Sequence, residues 1–549
     1  MTHSPSQIEL VELSTLHRDK NFKNLAIKTE LLIEKYPNVP NLYNILGIAQ
    51  FENKSFIKSI QSFNKVIELE PKHIDSYNNL ANAYKKIRDY ESSINILKKA
   101  IEINSKYHLT YANLADLYSE IGEVEKSLFY YKKSLDLKPE VIKNINNYLF
   151  YLNYSTNVEN SFYLSEASKF SKFLKVKSLK NLKNNFLKED LKKIKIGFVS
   201  SDLRHHPVGY FLYETIKELK NFDLELFAYF NQGSEKEDDL SLELKKYFNK
   251  WNNINNLSDI DVINEIKKDK INILIDLSGY SSGNRLAVFA SKAAPIQISW
   301  IGYLNTSGLN EIDYIIADPY VVDKDMENTY SEKIWRMPNI WNTLSKPNDE
   351  TIDDFPAIKN KYITFGSFNN VNKINNTVIK TWSSILKEVK NSKIFFKYVH
   401  FDKYQYVDLI HNSFQKYGIS NDRIIISGGT KRSEHLKMFN KIDISLDPFP
   451  YSGGTTSFES AWMGVPMLTL KGKKFISNCG VSINNNLNMN DWIAYSAEEY
   501  INKAIADKNH SYVIISKIES GNVPVKPIPL NPITIRDRFR KSIGLISYL

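Results

Sequence analysis

Apolar and small residues recur along the first part of the chain with a period of 34 residues. Units that begin at residues 38, 72 and 106 carry the same residue classes at the same offsets. The aligned positions are Tyr43, Tyr77 and Tyr111; Leu46, Leu80 and Leu114; Gly47, Ala81 and Ala115; and Ser59, Ser93 and Ser127. Apolar residues within each unit have helical spacing, which predicts two amphipathic helices that pack closely where the small residues lie.

A 34-residue unit of two helices is the tetratricopeptide pattern, and such units stack into a superhelix. We assign residues 1–155 to this array, including a degenerate first unit and a partial last one, and residues 156–192 to a linker. The groove of such an array binds extended polypeptide, although an array can also act as a spacer or a dimerisation surface. Asn79, Asn113 and Asn147 recur at the same interval, and a column of amides can hold a peptide backbone. The first full unit has Ile45 there.

After about residue 193 the pattern changes to short apolar runs separated by amphipathic segments. Runs such as LELFAYFN, INILIDLSGY and IQISWIGY predict parallel strands covered by helices on both faces. A proline-containing stretch interrupts the series, which restarts with KYITFGSFN and KIFFKYV. We therefore predict two α/β halves, residues 193–345 and 346–549, with a ligand in the crevice at the carboxyl ends of their strands. Neither half has a Gly-x-Gly-x-x-Gly fingerprint, which argues against a dinucleotide and allows a nucleotide-sugar enzyme.

One predicted strand runs directly into two glycines, two threonines and a new helix, in the segment IDISLDPFPYSGGTTSFESAWMGVP. Free backbone N–H groups and the positive end of a helix dipole meet at such a junction, which favours an anion such as phosphate. The residues from Thr456 to Glu459 also form a capping-box pattern, in which both side chains would satisfy backbone donors and bind no ligand. Both interpretations remain open from this segment alone.

Composition narrows the class of protein. A chain of 549 residues with 42% hydrophobic residues can form about three domains. Its single cysteine excludes a disulfide framework and a cysteine-based zinc site, and it fits a reducing compartment, so we expect a cytoplasmic protein. The first residues do not form an export signal, and we expect no membrane span.

Charge and acidic motifs argue against two further classes of partner. The net charge of +10 comes from lysines scattered among asparagines, so we expect no nucleic-acid partner. Asp259 and Asp261 stand at the start of a predicted helix, where capping explains them better than a metal-binding Asp-x-Asp. We expect no metal site.

Six motifs follow the repeats in a fixed order: IGFVSSDLRHHPVGYF, ILIDLSGYSSGNR, APIQISWIGYLNTSGL, DYIIADP, FGSFNNVNKI and DISLDPFPYSGGTTSFESAWMGVP. Together they resemble the O-linked N-acetylglucosamine transferase family, nearest to its bacterial members and the plant SPINDLY branch. The resemblance implies a tetratricopeptide superhelix followed by a GT-B catalytic region with twin Rossmann-like sheets. It also implies an inverting, metal-independent transferase without a cofactor. Such an enzyme moves a sugar to Ser or Thr hydroxyls of proteins, and UDP-GlcNAc is the donor that we expect first.

By this resemblance three residues act in catalysis. Lys373, in GSFNNVNKI, contacts the donor diphosphate and stabilises the nucleoside diphosphate as it leaves. His206, in RHHPVGYF, lies on the acceptor side, where it is either the base or a residue that positions sugar and acceptor. Asp276 is a second candidate for this acceptor-side role. A carboxylate at the end of INILIDLSG can equally cap the following turn.

The resemblance assigns seven further residues to the donor. An amide lies near the diphosphate, a Gly-Gly-Thr-Thr turn holds the β-phosphate, an acid binds the ribose hydroxyls, and a histidine packs against the base. In this chain they are Asn370, Gly453, Gly454, Thr455, Thr456, Glu459 and His435.

Some positions depart from the family pattern and leave the nucleotide open. Close relatives have four threonines where this chain has Gly454, Thr455, Thr456 and Ser457. This chain also has Met438 where some relatives have a basic residue, and Asn478 and Cys479 where relatives have an arginine-containing pair. A protein O-fucosyltransferase that uses GDP-fucose is therefore an alternative. A catalytically silent tetratricopeptide scaffold is another, against which the retention of Lys373, His206 and His435 argues.

Overall fold

The structure is a computed structural model, and it describes residues 4–175, 193–345, 351–399, 401 and 404–505. The chain divides into two compact units, Met1–Tyr151 and Leu152–Leu549. The first consists of helices and the second contains two parallel sheets, which confirms the predicted fold class. Residues 176–192 of the predicted linker and residues 506–549 of the predicted C-terminal half lie outside the described residues. Among the helices that are described, none combines the length and the apolar character needed to cross a bilayer.

The repeat region folds as successive helix pairs. Its helices are α1 (Gln7–Arg18), α2 (Phe22–Lys35), α3 (Pro40–Glu52), α4 (Phe56–Leu69), α5 (Ile74–Lys86), α6 (Tyr90–Ile103), α7 (His108–Glu120), α8 (Val124–Leu137) and α9 (Ile142–Leu152). A Cβ on Gly47 would lie 2.6 Å from the Phe63 ring, which explains the small residue at the helix crossing. The Tyr77 hydroxyl donates to the Pro71 carbonyl at 3.0 Å, and Tyr111 makes the equivalent bond one unit later. The repeated tyrosines therefore close the loops between units.

The predicted asparagine column has partners inside the array. Each amide donates to a side chain of another helix: Asn79 to Asn44 (3.3 Å), Asn113 to Asn78 (2.8 Å), and Asn147 to Asp116 (3.2 Å) and Tyr131 (3.0 Å). In the first full unit the partner is Asn44 and not the aligned Ile45. These asparagines connect the repeats, and an amide group that gives one hydrogen bond still has further donor and acceptor capacity for a peptide.

The first α/β half contains a seven-stranded parallel sheet. Its strands are β1 (Ile194–Ser200), β2 (Leu224–Phe230), β3 (Lys250–Asn253), β4 (Ile273–Asp276), β5 (Ile296–Ser299), β6 (Tyr314–Ala317) and β7 (Lys333–Arg336), in the order β3-β2-β1-β4-β5-β6-β7. The helices between them are α11 (Pro207–Leu219), α12 (Asp239–Lys245), α13 (Asp259–Lys268) and α14 (Leu286–Ala290). Their apolar faces pack on the sheet, which is how a parallel sheet is normally covered.

The second half repeats this plan with six parallel strands. They are β8 (Thr364–Ser367), β9 (Lys393–Lys397), β10 (Ile424–Ser427), β11 (Ile444–Leu446), β12 (Met467–Leu470) and β13 (Ile493–Ala494), in the order β10-β9-β8-β11-β12-β13. The helices are α15 (Pro356–Asn360), α16 (Asn376–Glu388), α17 (Tyr404–Gln415), α18 (Arg432–Lys437), α19 (Thr455–Trp462) and α20 (Cys479–Asn486). Strands β8 and β11 are neighbours, so their carboxyl ends share one edge.

Three strands were not among the predicted apolar runs. These are β3, β7 and β13, and each lies at the edge of its sheet. An edge strand has one side free of neighbours and tolerates polar residues, as in the sequence KWNN of β3. Their hydrophobic pattern is therefore too weak to detect in the sequence.

Residues 152–155, predicted to end the array, and residues 156–171, predicted to begin the linker, belong to the second unit. Helix α10 (Asn160–Ser171) buries Tyr163 completely, and the Tyr163 hydroxyl lies 2.5 Å from the Tyr303 hydroxyl. Asn153 Nδ2 donates to the same Tyr303 hydroxyl at 2.8 Å. The apolar residues of α10, Tyr163, Ala167 and Phe170, have helical spacing, so the sequence did contain a signal for this helix.

Candidate active site

A glycine turn joins β11 to α19. The Gly453 N–H donates to Asp447 Oδ1 at 2.6 Å, and a Cβ on Gly453 would lie 2.2 Å from Ser457 Oγ. Gly454 is the N-cap of α19, whose first backbone bonds run from Ser457 and Phe458 to the Gly454 carbonyl. The close approach of backbone and side chains therefore requires glycine at position 453.

The start of α19 has no side-chain cap in the described part of the chain. Thr455 and Thr456 precede the first helical hydrogen bonds, so their N–H groups lie at the positive end of the helix. No side chain caps α19, and Glu459 bonds other side chains, so the capping-box interpretation of Thr456 and Glu459 is wrong. The anion-binding interpretation of this helix start stays a prediction.

Lys373 lies beside this helix start, in a short turn after β8. Its Nζ donates to the Ser452 carbonyl at 2.9 Å and to Asn369 Oδ1 at 3.2 Å. The Thr456 hydroxyl donates to the same Asn369 oxygen at 3.1 Å. Asn369 therefore connects the lysine to the first turn of α19. Asn370, the residue named from the sequence, accepts from a backbone N–H of its own turn.

Asp447 is the buried carboxyl group behind the turn. It accepts from Gly453 N–H and, at 2.7 Å, from the Thr469 hydroxyl. Burial raises the pKa of Asp447 to about 6, and these bonds and the Lys373 charge oppose the rise. Burial lowers the pKa of Lys373 to about 8, and Asp447 opposes that fall. Near neutral pH the lysine is therefore a cation.

Glu459 and His435 meet at the other end of the site. The Glu459 carboxylate is 2% exposed, accepts from Arg432 Nη1 at 2.8 Å, and lies 3.1 Å from His435 Nε2. His435 packs against the Phe368 ring, with the ring centroids 5.7 Å apart. The Arg432 guanidinium lies 3.8 Å from the centroid of the Tyr210 ring in α11. Arg432 thus joins the second half to the first across the crevice.

His206 and Asp276 lie at the carboxyl ends of first-half strands. His206 is the N-cap of α11, and its Nδ1 accepts from Val208 N–H at 3.3 Å and lies 3.8 Å from Asp202 Oδ2. Burial lowers the pKa of His206, and Asp202 opposes this. Asp276 is buried and accepts from the Ser278 and Gly279 N–H groups at 3.1 and 2.9 Å. Its carboxylate therefore caps the following turn, the alternative considered from the sequence.

His205, Asp238 and Asp239 form a cluster beside α11 whose ligand atoms lie within 4.8 Å of one another. His205 and Asp239 are exposed, and Asp238 caps α12 by accepting from Ser241 N–H at 3.0 Å. Capping thus explains one member of the cluster.

Comparison with known proteins identifies the family. The model of glycosyl transferase family 41 matches residues 169–344 and 353–520, more than half of the chain. The chain belongs to glycosyl transferase family 41. Tetratricopeptide models match residues 40–73 and 72–140. This agrees with the helix pairs of the first unit.

Curated plant proteins and one solved structure are similar to this chain. Two plant proteins named probable UDP-N-acetylglucosamine–peptide N-acetylglucosaminyltransferase SPINDLY are 34% identical over 257 residues (Eustoma exaltatum; 46% of this chain, 28% of that protein) and 33% identical over 306 residues (Oryza sativa; 55% and 33%). The matched segments span about a third of those proteins. A mutant O-GlcNAc transferase from Thermobaculum terrenum has the same fold, with a TM-score of 0.73 and 22% identity over 92% of this chain and 98% of that one.

In this member of glycosyl transferase family 41, three further residues contact the candidate site residues and were not predicted from the sequence. Asn369, Asp447 and Arg432 were not among the candidates, and each contacts one that was. Asn369 and Asp447 each lie within two residues of a strand's carboxyl end, which is a usable signal in an open α/β sheet. Arg432 has no such signal, because its partners come from distant segments.

The two glycines of the turn are expected to respond differently to substitution. Gly453→Ala should lower donor affinity about 10-fold, because the new methyl group displaces Ser457 and the Asp447 contact. Gly454→Ala is the matched control, because a Cβ there meets no atom within 4 Å, and affinity should stay within about threefold of the wild type. Calorimetric titration with the donor nucleotide measures both. Equal affinity of the two variants would contradict the close packing at Gly453.

Proposed function

We propose that this protein is an inverting, metal-independent transferase that moves N-acetylglucosamine from UDP-GlcNAc to Ser or Thr hydroxyls of proteins. The observation that carries the proposal is the pair of contacts on Asn369, which place the Lys373 ammonium beside the first turn of α19. A cation and a helix N-terminus at one point form a site for a diphosphate. The names of the plant relatives, which specify this donor and a peptide acceptor, support the same reaction.

In the proposed reaction the acceptor oxygen attacks the anomeric carbon from the face opposite the diphosphate. The bond from that carbon to the β-phosphate oxygen breaks, and its electron pair stays on the oxygen. Lys373 and the amides at Thr455 and Thr456 stabilise the charge that develops there. Glu459 and His435 hold the ribose and the base in this proposal.

His206 is assigned to positioning in this proposal and not to the role of base. Because Val208 N–H donates to Nδ1, a neutral ring carries its proton on Nε2 and can only donate from that atom. Donation to a sugar or acceptor oxygen orients the reacting groups. The acceptor proton then leaves to another oxygen of the complex or to water.

The donor is tested by a screen of nucleotide sugars with lysate proteins as acceptors, read by mass spectrometry. We expect a mass increase of one N-acetylhexosamine on Ser or Thr with UDP-GlcNAc. GDP-fucose is the second candidate, because Gly454, Ser457 and Met438 change the residues around the donor relative to the family pattern. A deoxyhexose increase only would replace the donor in this proposal, and no increase with any donor would favour a silent scaffold.

Protein acceptors are proposed to bind the groove of the repeat array, with Asn79, Asn113 and Asn147 as contacts.

The single cysteine supports a reducing compartment, and we propose the cytoplasm as the place of the reaction.

Transfer is expected to persist in excess EDTA, because Lys373 and the start of α19 supply the positive charge that a metal would otherwise supply. The measurement is initial rate with and without EDTA, Mn²⁺ or Mg²⁺. Asp239→Asn, which alters the exposed cluster with His205, is the control and should behave as the wild type. If EDTA abolished the wild-type rate and Mn²⁺ restored it, metal independence would be contradicted. If Mn²⁺ then failed to restore the rate of Asp239→Asn, the metal would be placed at that cluster.

A further inference from the structure

Lys373 lies over the face of an aromatic ring. Its Nζ is 4.4 Å from the centroid of the Tyr451 ring, and it donates to the carbonyl of the next residue, Ser452. A cation at this distance is attracted by the negative face of the ring, and the attraction is stronger where water is excluded. Tyr451 lies two residues before Gly453, so it belongs to the same loop as the glycine turn.

The Tyr154 ring packs against the Tyr451 ring. The two ring centroids are 4.6 Å apart with an angle of 43° between the ring planes, and Tyr154 is 5% exposed. A hydrogen bond from Tyr154 also opposes the rise in the pKa of Tyr451 that burial causes. The ring under the lysine therefore has little freedom to move.

The neighbours of Tyr154 are anchored to both α/β halves. Asn153 bonds Tyr303 at 2.8 Å and accepts from Asn305 Nδ2 at 2.7 Å, both in the first half. The Ser155 carbonyl accepts from Lys474 Nζ of the second half at 3.4 Å. Residues 153–155 form a fixed support, which we call the tyrosine support.

We propose that Tyr451 is a positioning residue for Lys373 and that Tyr154, in the tyrosine support, fixes the ring beneath the ammonium group. This inference rests on the proposed function, in which Lys373 faces the donor diphosphate. A carboxylate in the same place would hold the lysine but would cancel its charge. An aromatic ring directs the ammonium group without adding a second negative charge to that of Asp447.

The groups that face Lys373 determine how its titration responds. They are Asp447 after β11, Cys479 at the start of α20 and Tyr451 in the loop between. Burial raises the pKa of Cys479 to about 12, so this thiol is neutral, and Asp447 is the charged neighbour. The Tyr451 ring stabilises the ammonium form relative to the amine. A weaker ring should lower the pKa of Lys373, so activity should fall at lower pH on the alkaline side of the profile.

The test uses the full chain with phenylalanine and with phenylalanine analogues bearing one, two and three ring fluorines at position 451. The analogues keep the shape of the ring and progressively remove its negative face. Tyr451→Phe should keep kcat within about threefold of the wild type. The fluorinated series should lower kcat stepwise, with little change in KM, and move the alkaline limb of the pH–rate profile down by about 0.5 to 1 pH unit in total. Tyr154→Leu should act in the same direction, and Tyr495→Leu, at a residue 66% exposed, is the control.

Two outcomes separate this inference from the proposed function. If Lys373→Ala is inactive but the fluorinated series keeps the kcat and pH profile of Tyr451→Phe, the positioning role is overturned and the diphosphate role stands. If Lys373→Ala is itself active, the proposed function fails and the inference fails with it. The fluorinated analogues preserve packing, so they decide the positioning role of the Tyr451 ring even if Tyr154→Leu fails to fold.

Discussion

Replacing Lys373 with Ala is expected to lower transfer to protein about 100-fold or more and to leave the fold intact. The ammonium group lies where we propose the donor diphosphate, and its loss leaves the leaving group without the cation that stabilises it. The Lys373 Nζ donates to the Ser452 carbonyl and to Asn369 Oδ1, and Ala removes these two bonds without disturbing the backbone. Initial rates of protein labelling, together with the melting temperature of the variant, measure the effect.

Lys380→Ala is the matched control for this experiment. Lys380 lies in α16, the helix that follows Lys373, and it is exposed. We expect its turnover and its melting temperature to equal those of the wild type. Near-normal turnover of Lys373→Ala would show that the diphosphate assignment is wrong.

Shortening the chain should separate donor chemistry from acceptor recognition. A protein beginning at residue 140 keeps residues 152–171, with Tyr154 and Tyr163, and lacks the full repeat units. It should fold and hydrolyse the donor within about threefold of the full chain, whereas protein labelling should fall at least about 10-fold because the acceptor groove is gone. Both rates are measured on the same preparations.

A protein beginning at residue 193 should lose both activities. This cut removes α10, whose Tyr163 is fully buried. Ala167 of α10 packs closely against Gly308, because a Cβ built on Gly308 would lie 2.6 Å from the Ala167 Cβ. Loss of one large buried aromatic side chain costs about 3 to 5 kcal/mol, a large part of the stability of a domain. We expect a strongly lowered melting temperature or insoluble protein.

The two cuts together also test the role of the array. Equal loss of donor hydrolysis and protein labelling in the protein beginning at residue 140 would mean that the repeats support the catalytic fold, and the acceptor-groove proposal would then be withdrawn. Stable protein with full donor hydrolysis after the cut at residue 193 would show that α10 is dispensable. The triple change of Asn79, Asn113 and Asn147 to Ala needs a melting curve beside its labelling rate, because these amides also bond neighbouring helices.

The repeat period and the alternation of strands and helices were sufficient to predict the architecture from the sequence. Both are periodic patterns over many residues, so single exceptions such as Ile45 do not hide them. The edge strands β3, β7 and β13 and helix α10 were missed for different reasons. The sequences of these three strands, KWNN, KIWR and IA, contain no apolar run longer than two residues. Helix α10 follows the repeats without a strong break in the sequence, which therefore predicts a linker over residues 156–192.

The resemblance of short motifs to the family also predicts site roles for Lys373, His206, His435 and the Gly453–Thr456 turn, and these roles stay predictions. Only the tertiary structure excludes the capping role of Glu459, and its role toward a ribose stays a prediction. Its partners Arg432 and His435 are 27 and 24 residues away, and no local pattern predicts them. The same holds for Tyr154 and Tyr451, which meet across almost 300 positions of the chain. Local periodicity specifies secondary structure, whereas contacts between distant segments depend on how the chain closes, and the roles of these side chains follow from that closure.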